Sequence, residues 1–210
     1  MKNLKLSIVV PVYNEENNIE LLYNKIISLN LELDLNIIFV DDCSTDSTLE
    51  VIRKLNLKDQ KVKAISFSRN FGHQIALSAG IDQSDCDILI MLDADLQHPP
   101  EEIYKMIKKY KEGYDVVQMT KKNQGKRNIF YKLFSYIFYR FFRKIAGVNL
   151  SNNVSDFRLI SKRVIDEIKK LNEKERFLRG IVQWVGFKYT EIEYKPGIRH
   201  SGVSKYNFFE

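Results

Sequence analysis

The chain has 210 residues, enough for one compact domain with a buried core. Hydrophobic residues at 44% against 29% charged exclude a disordered chain. A net charge of +6 favours an anionic partner, whether nucleic acid, anionic lipid or a phosphorylated substrate, and does not choose among them.

Leu6 to Val12 (LSIVVPV) is a β-branched run that predicts a strand buried on both faces. Asn14 is placed to cap the helix that follows, in which Ile19, Leu22, Ile26 and Leu29 recur at helical spacing. Asn36 to Val40 (NIIFV) predicts a second strand, closed by Asp41 and Asp42, with a helix over Ser47 to Leu55 capped by Thr45 or Asp46. A third strand is expected over Val62 to Phe67, a helix over Gly72 to Gly80 and a fourth strand over Asp87 to Leu92 (DILIML). Pro99 to Tyr110 reads as a helix opened by prolines, which first-turn positions tolerate, and Tyr114 to Met119 as a fifth strand. Beyond residue 125 the pattern changes. Val154 to Ile160 looks like a strand at a sheet edge, Lys162 to Leu171 and Arg176 to Val185 like helices, and Phe187 to Tyr194 like a last strand before a basic tail.

Alternating strands and helices imply an α/β fold, a mostly parallel sheet flanked by helices, whose ligands gather at the carboxyl ends of the strands. The polar clusters fall at those ends: Tyr13-Asn14-Glu15, Asp41-Asp42, Arg69-Asn70 and Asp93-Ala94-Asp95. Cys43 and Cys86 lack any metal-ligand spacing and are expected to be buried, reduced thiols, consistent with the cytosol. Met1 to Lys5 shows no signal-peptide pattern. No apolar run reaches the roughly 18 residues that cross a bilayer, so the reading is of a soluble or peripheral chain.

Asp93 and Asp95 carry the most chemistry. Residues two apart in an extended chain point the same way, so both carboxylates can approach one hard cation, Mg2+ or Mn2+, together with phosphate oxygens. The bland alternative is an acidic turn before the helix at Pro99. Asp42 is a candidate acceptor for a base edge or ribose hydroxyl, beside the capping role that Ser44, Thr45 and Asp46 serve. Neither G-x-G-x-x-G nor a P-loop occurs, so a diphosphate has to be held by metal and basic side chains. His73 reads as a hydrogen-bonding residue at a helix start, His98 as structural and Trp184 as packed. Arg127 to Ile145 forms two apolar stripes, Ile129, Leu133, Ile137, Phe141 and Phe130, Phe134, Phe138, Phe142, interspersed with cations. Such a helix suits an anionic membrane interface, with Arg127 and Arg140 as candidates for an acceptor phosphate.

The segments VPVYNE (10–15), VDDCSTDST (40–48) and DADLQHPPE (93–101) resemble glycosyltransferase family 2. Within it, SDFRL (155–159), RFLRG (176–180), WVGF (184–187) and RHSGVSKY (199–206) resemble the polyprenyl-phosphate branch, which includes dolichyl-phosphate mannosyltransferase and undecaprenyl-phosphate glucosyltransferases. The resemblance covers nearly the whole chain. It implies a single GT-A domain over 1–210, with residues 1–124 binding the nucleotide-sugar and 125–210 forming an acceptor and membrane-proximal half. It implies that Pro11, Tyr13, Glu15 and Asp42 line the nucleoside pocket, and that Asp93, Asp95 and Gln97 surround the metal. It places Asp156 near the reacting centre, and Arg199, Ser201 and Lys205 in a segment closing over phosphates. The branch continues into two C-terminal transmembrane helices, and the chain stops at Glu210, about where they begin, so a truncated or shorter form is expected.

The activity so implied is inverting transfer of a sugar from a nucleotide diphosphate-sugar to a polyprenyl phosphate at the cytoplasmic face of the membrane. UDP-glucose is the preferred donor, with GDP-mannose or another UDP-sugar as alternatives. Two other readings stand beside it: a family 2 enzyme acting on a glycan or protein hydroxyl, and a non-catalytic nucleotide- or RNA-binding module. The acidic rim repels a polyanion, so no nucleic-acid partner is expected. A homo-oligomer is left open.

Overall fold

A computed structural model describes residues 4–122, 154–173 and 176–197. In chain order the elements are β1 (Lys5–Val12), α1 (Glu16–Ser28), β2 (Asp34–Asp41), α2 (Thr48–Lys58), β3 (Val62–Ser66), α3 (His73–Gln83) and β4 (Ile88–Met91). A 3-10 turn, Pro100–Glu102, then leads into α4 (Ile103–Lys111) and β5 (Val116–Lys121). From residue 154 onward come β6 (Val154–Ser161), α5 (Lys162–Lys170), α6 (Leu178–Trp184) and β7 (Tyr189–Tyr194).

The strands form one sheet in the order β3-β2-β1-β4-β6-β5-β7. Its first four strands are parallel, with β1 central between β2 and β4. β6 runs antiparallel to both neighbours, and β7 returns parallel to β5. The 154–160 segment is therefore an interior strand and not an edge. Hydrophobic pattern reports that a segment is buried and does not report its partners, so the sequence alone misplaces it.

Side-chain alternation divides the core into two layers. On one face Leu6, Ile8, Val10, Ile37, Phe39, Ile88, Ile90, Phe157 and Leu159 meet Ile19, Leu22 and Ile26 of α1, Ile52 of α2 and Ile103 and Met106 of α4. On the other Val9, Ile38, Val40, Leu89, Met91 and Ile160 meet Ala76, Leu77 and Ile81 of α3, Val164 and Ile168 of α5, and Leu178 and Val182 of α6. Period two then puts Asp156 and Arg158 of β6 on the α3/α5/α6 face, since Phe157 and Leu159 occupy the opposite one.

Three local expectations are corrected. Asn14 does not cap α1: it sits at φ 54°, and its Oδ1 accepts the Thr45 backbone N–H at 2.7 Å, tying the β1–α1 loop to the β2–α2 loop. Trp184 is 62% exposed rather than packed. The buried side of α6 is Leu178 and Val182, and Trp184 lies about 200° around the helix from Val182. Cys86 is buried, but Cys43 is only half-buried; both are free thiols.

Candidate active site

The loops after β1 and β2 are sewn together. Asn14 N–H donates to Ser44 Oγ at 2.9 Å and Glu15 N–H to Thr48 Oγ1 at 2.8 Å. Asp46 accepts the N–H groups of Thr48 at 3.0 Å and Glu16 at 3.3 Å. Glu15 accepts from the Asn18 side-chain amide at 2.6 Å, and Pro11 is buried at the end of β1 with Tyr13 half-buried after it. Asp41 is buried and accepts the Ser44 N–H at 3.2 Å. Asp42, also buried, has its carboxylate on two backbone donors, Phe71 N–H at 2.6 Å and Gly72 N–H at 2.8 Å. In this structure Asp42 thus fixes the loop that enters α3. Gly72 takes φ 94° there, a backbone region costly for other residues.

That loop delivers His73, the first residue of α3, to the end of β4. Its Nε2 lies 3.6 Å from Asp93 Oδ1 and 3.4 Å from Asp156 Oδ2. Burial alone would lower its pKa; the hydrogen bond to Asp156 and the charges of Asp93 and Asp156 outweigh that and raise it. On the other side of Asp93, His98 is fully buried and stacked on Phe157 at a centroid distance of 4.8 Å. Burial lowers the His98 pKa against the pull of Asp93 and Asp95, so the ring is neutral. Its Nδ1 accepts the Asp93 backbone N–H at 2.9 Å, which leaves the proton on Nε2, 3.5 Å from Asp93 Oδ2. His98 is therefore structural, as its position suggests, and it fixes Asp93 from behind.

The turn carrying Asp95 is equally defined. Asp95 Oδ1 accepts the Gln97 N–H at 3.0 Å, and Leu96 between them holds φ 63°. Gly197, just past β7, donates its N–H to the Gln97 carbonyl at 3.1 Å. A Cβ at Gly197 would collide with the Leu96 carbonyl oxygen. Lys121 Nζ reaches Gln97 Oε1 at 3.5 Å. Burial, with Asp93 and Asp95 adding to it, pushes the Tyr194 phenol beside this turn up to about 12.

The residues at this rim fit a divalent cation. Asp93 Oδ1 is a buried carboxylate oxygen with no hydrogen-bond donor among the described residues, the kind of acceptor an ion satisfies. Among the described residues no three His, Cys, Asp or Glu side chains form a cage.

Asp156 is the most heavily engaged group. Arg158 Nη2 donates to Oδ1 at 2.9 Å, and Arg179 of α6 forks onto it, Nε to Oδ1 at 3.1 Å and Nη2 to Oδ2 at 2.7 Å. Gln74 Nε2 adds a bond to Oδ2 at 3.1 Å. Burial would raise the Asp156 pKa. The His73 and Arg179 hydrogen bonds and the two guanidinium charges overwhelm that and hold the carboxyl far below the usual carboxylate range.

Of the residues singled out in the sequence, Asp93 and Asp156 thus meet through His73, and Asp95 and Gln97 form the adjoining turn. Asp42 acts on the α3 loop, with Pro11, Tyr13 and Glu15 at the neighbouring strand end. Arg127, Arg140, Arg199, Ser201, Lys205 and the aromatic helix expected over 127–145 lie outside the described residues. Sequence reasoning missed Arg179 and the bridging position of His73. The signals available were the RFLRG segment that carries Arg179 and the alternation that sets Asp156 and Arg158 on a single buried face.

A mostly parallel sheet with an antiparallel interior strand beside β4, and an Asp-x-Asp turn directly beyond β4, has the GT-A fold. The M. tuberculosis glucosyl-3-phosphoglycerate synthase, solved with Mn2+, UDP and glucosyl-3-phosphoglycerate, superposes with a TM-score of 0.63 at 15% identity, covering 95% of this chain and 73% of that one. The chain belongs to glycosyl transferase family 2, whose pattern matches residues 7–169. YkcC of Bacillus subtilis (strain 168), an uncharacterized glycosyltransferase, is 42% identical over 207 residues, or 98% of this chain. The bactoprenol glucosyl transferase of Shigella phage SfX is 37% identical over 207 residues, covering 97% of this chain and 68% of that protein. The chain spans 64% of the length of YkcC.

Proposed function

We propose that the chain transfers a sugar from a nucleotide diphosphate-sugar to a polyprenyl phosphate at the cytoplasmic face of a membrane. Residues 1–124 hold the donor, and 125–210 serve the acceptor and the membrane. The observation that carries this reading is the state of Asp156. A hydroxyl acceptor calls for a base with a pKa tuned toward neutrality. Asp156 is the carboxylate beside the reacting centre, and Arg158, Arg179 and Gln74 hold it as a weakly basic anion. A phosphate oxygen is already anionic and needs no such base. Similarity to the bactoprenol glucosyl transferase of phage SfX supports glucose as the sugar and a polyprenyl carrier. Among the described residues no helix is long and apolar enough to cross a membrane, and the basic aromatic segment 127–145 is the proposed contact with it.

In the reaction a phosphate oxygen of the acceptor attacks the anomeric carbon. The bond from that carbon to the diphosphate breaks on the opposite side, and the nucleoside diphosphate leaves with the electron pair, giving inversion. Asp93 and Asp95, with Gln97 beside them, would hold Mg2+ or Mn2+, which supplies Lewis-acid neutralisation of the leaving diphosphate. The chain's own part is positional. Asp42 sets the α3 entrance, His98 orients Asp93, and His73 joins Asp93 to Asp156.

The test is incubation with UDP-glucose or GDP-mannose, Mg2+ or Mn2+, and a short polyprenyl phosphate, against the matching polyprenol. Sugar is expected on the phosphate alone, abolished by chelator and reduced by at least about a hundredfold in Asp95→Ala. Sugar transferred to hydroxyl acceptors and not to the lipid phosphate, or turnover indifferent to chelator, refutes the proposal.

A further inference from the structure

The side-chain amide of Gln74 has one end engaged and the other unanswered. Gln74 is the second residue of α3, next to His73, and its Nε2 donates to Asp156 Oδ2 at 3.1 Å. A carboxylate only accepts, so the nitrogen has to face Asp156, and the carbonyl Oε1 is fixed on the other side of the amide. That Oε1 is buried and has no hydrogen-bond donor among the described residues. The backbone beneath it is firmly held: Asp42 grips the loop at Phe71 and Gly72, and Ser78 Oγ donates to the Gln74 backbone carbonyl at 2.9 Å. A buried acceptor without a donor has given up its hydration with no hydrogen bond in return, and native structures keep few of them.

Asp156 itself is saturated. A carboxylate offers about four lone-pair sites. Arg158 Nη2 and Arg179 Nε occupy Oδ1, and Arg179 Nη2 and Gln74 Nε2 occupy Oδ2, with His73 Nε2 a further 3.4 Å contact on Oδ2. A hydroxyl arriving at this centre therefore finds its acceptor one group further on, at Gln74 Oε1. The cluster opens on the side of His73 and Asp93, whose side chains are 28% and 37% exposed, and Asp93 is the carboxylate proposed to hold the ion at the leaving diphosphate. An amide oxygen carries partial negative charge, so it turns away a phosphate oxygen and takes an O–H donor. The group joined to that diphosphate at the reacting centre is the sugar, which is rich in hydroxyls. We propose that Gln74 is a donor-binding residue whose Oε1 accepts a hydroxyl of the transferred sugar, the amide being oriented by Asp156. This deepens the function proposed above and rests on it for the identity of the ligand. The ribose of the nucleotide carries hydroxyls as well, and the experiment separates the two sources.

Calorimetry on the purified chain with Mg2+ compares UDP-glucose with UDP, and GDP-mannose with GDP, in the wild type and in Gln74→Met, which keeps the length of the side chain and loses its carbonyl. The substitution is expected to weaken the nucleotide-sugar by about fivefold to thirtyfold and to leave the bare nucleotide unchanged. Single-deoxy analogues of the sugar then identify the hydroxyl: the analogue that lacks it should bind the wild type weakly and be indifferent to Gln74→Met, a coupling that a merely structural role for Gln74 would not produce. Gln74→Asn, one methylene too short to span from Asp156 to the hydroxyl, serves if the methionine variant does not fold. Equal weakening of nucleotide and nucleotide-sugar assigns the contact to the ribose and overturns the inference. So does a nucleotide-sugar that binds variant and wild type alike, a deoxy series in which every analogue stays sensitive to the substitution, or a wild type that binds neither nucleotide-sugar. Sugar-selective loss in a chain that delivers no sugar to polyprenyl phosphate would sink the proposed function and leave this contact standing.

Discussion

Replacing Asp156 with alanine tests the electrostatic core of the site. The substitution leaves Arg158 charged and almost fully enclosed, and among the described residues the carbonyl oxygens of Ser155, at 3.1 Å, and Leu178, at 3.3 Å, are then what receives its N–H groups. Removing one partner of a buried pair costs about 3–5 kcal/mol. Arg179, with its side chain 40% exposed, is less enclosed and adds less. For a domain of this length each kcal/mol moves the melting temperature by about 2–4 °C, so Asp156→Ala should melt about 6–20 °C below the wild type at pH 7. A second change, Arg158→Met, removes the orphaned charge and should restore most of the loss. The pH dependence has a definite sign. Asp156 has a depressed folded pKa, so its contribution is complete above the ordinary carboxylate value of 3.8 and is lost as pH falls through the lower folded value. The difference between wild type and variant should therefore stay large down to about pH 5, rising somewhat as pH falls toward 6.5 because the variant also loses the Asp156 bond to protonated His73, and shrink in stronger acid. Thermal melts followed by far-ultraviolet circular dichroism measure all of this. A drop under about 2 °C at pH 7, or a double variant no more stable than the single one, refutes the reasoning.

Gly197→Ala should displace the Leu96 carbonyl and with it the Asp95–Gln97 turn, lowering Mn2+ affinity about tenfold in a titration followed by electron paramagnetic resonance while the melting temperature moves little. His73 should titrate above the ordinary imidazole value of 6.5, because Asp156 and Asp93 outweigh its burial, and the shift should shrink in Asp93→Asn. Its protonated form then stabilises the fold below pH 6.5, and that contribution fades as pH rises through the raised value; proton NMR of the imidazole reads both.

The β-branched runs at 6–12 and 36–40 announced their strands because a strand covered on both faces has little choice of residue. Asp93 and Asp95 were legible for a related reason: two acids directly after such a run have no core role to fill. The interior place of β6 was not legible, since pairing across the sheet depends on chain far away in sequence. Arg179 was hidden differently. The RFLRG segment marks the region without giving Arg179 a role, since in a seven-residue helix with Leu178 and Val182 inward an arginine looks like surface, and the packing of α6 beside β6 makes it a partner of Asp156. His73 follows a glycine at a helix start, and nothing local shows that Asp42 grips the preceding loop and aims the ring at two carboxylates.

The placement of β6 also bears on how the polypeptide is made. The side of β4 facing away from β1 acquires its neighbour only when residues 154–161 exist, and β5 meets the rest of the sheet through that same strand. A nascent chain therefore carries a bare ladder of amides next to the future Asp93 turn until Ser161 has left the ribosome, the condition under which strands recruit wrong partners. A fragment ending at Lys122 would keep that open edge permanently and should aggregate.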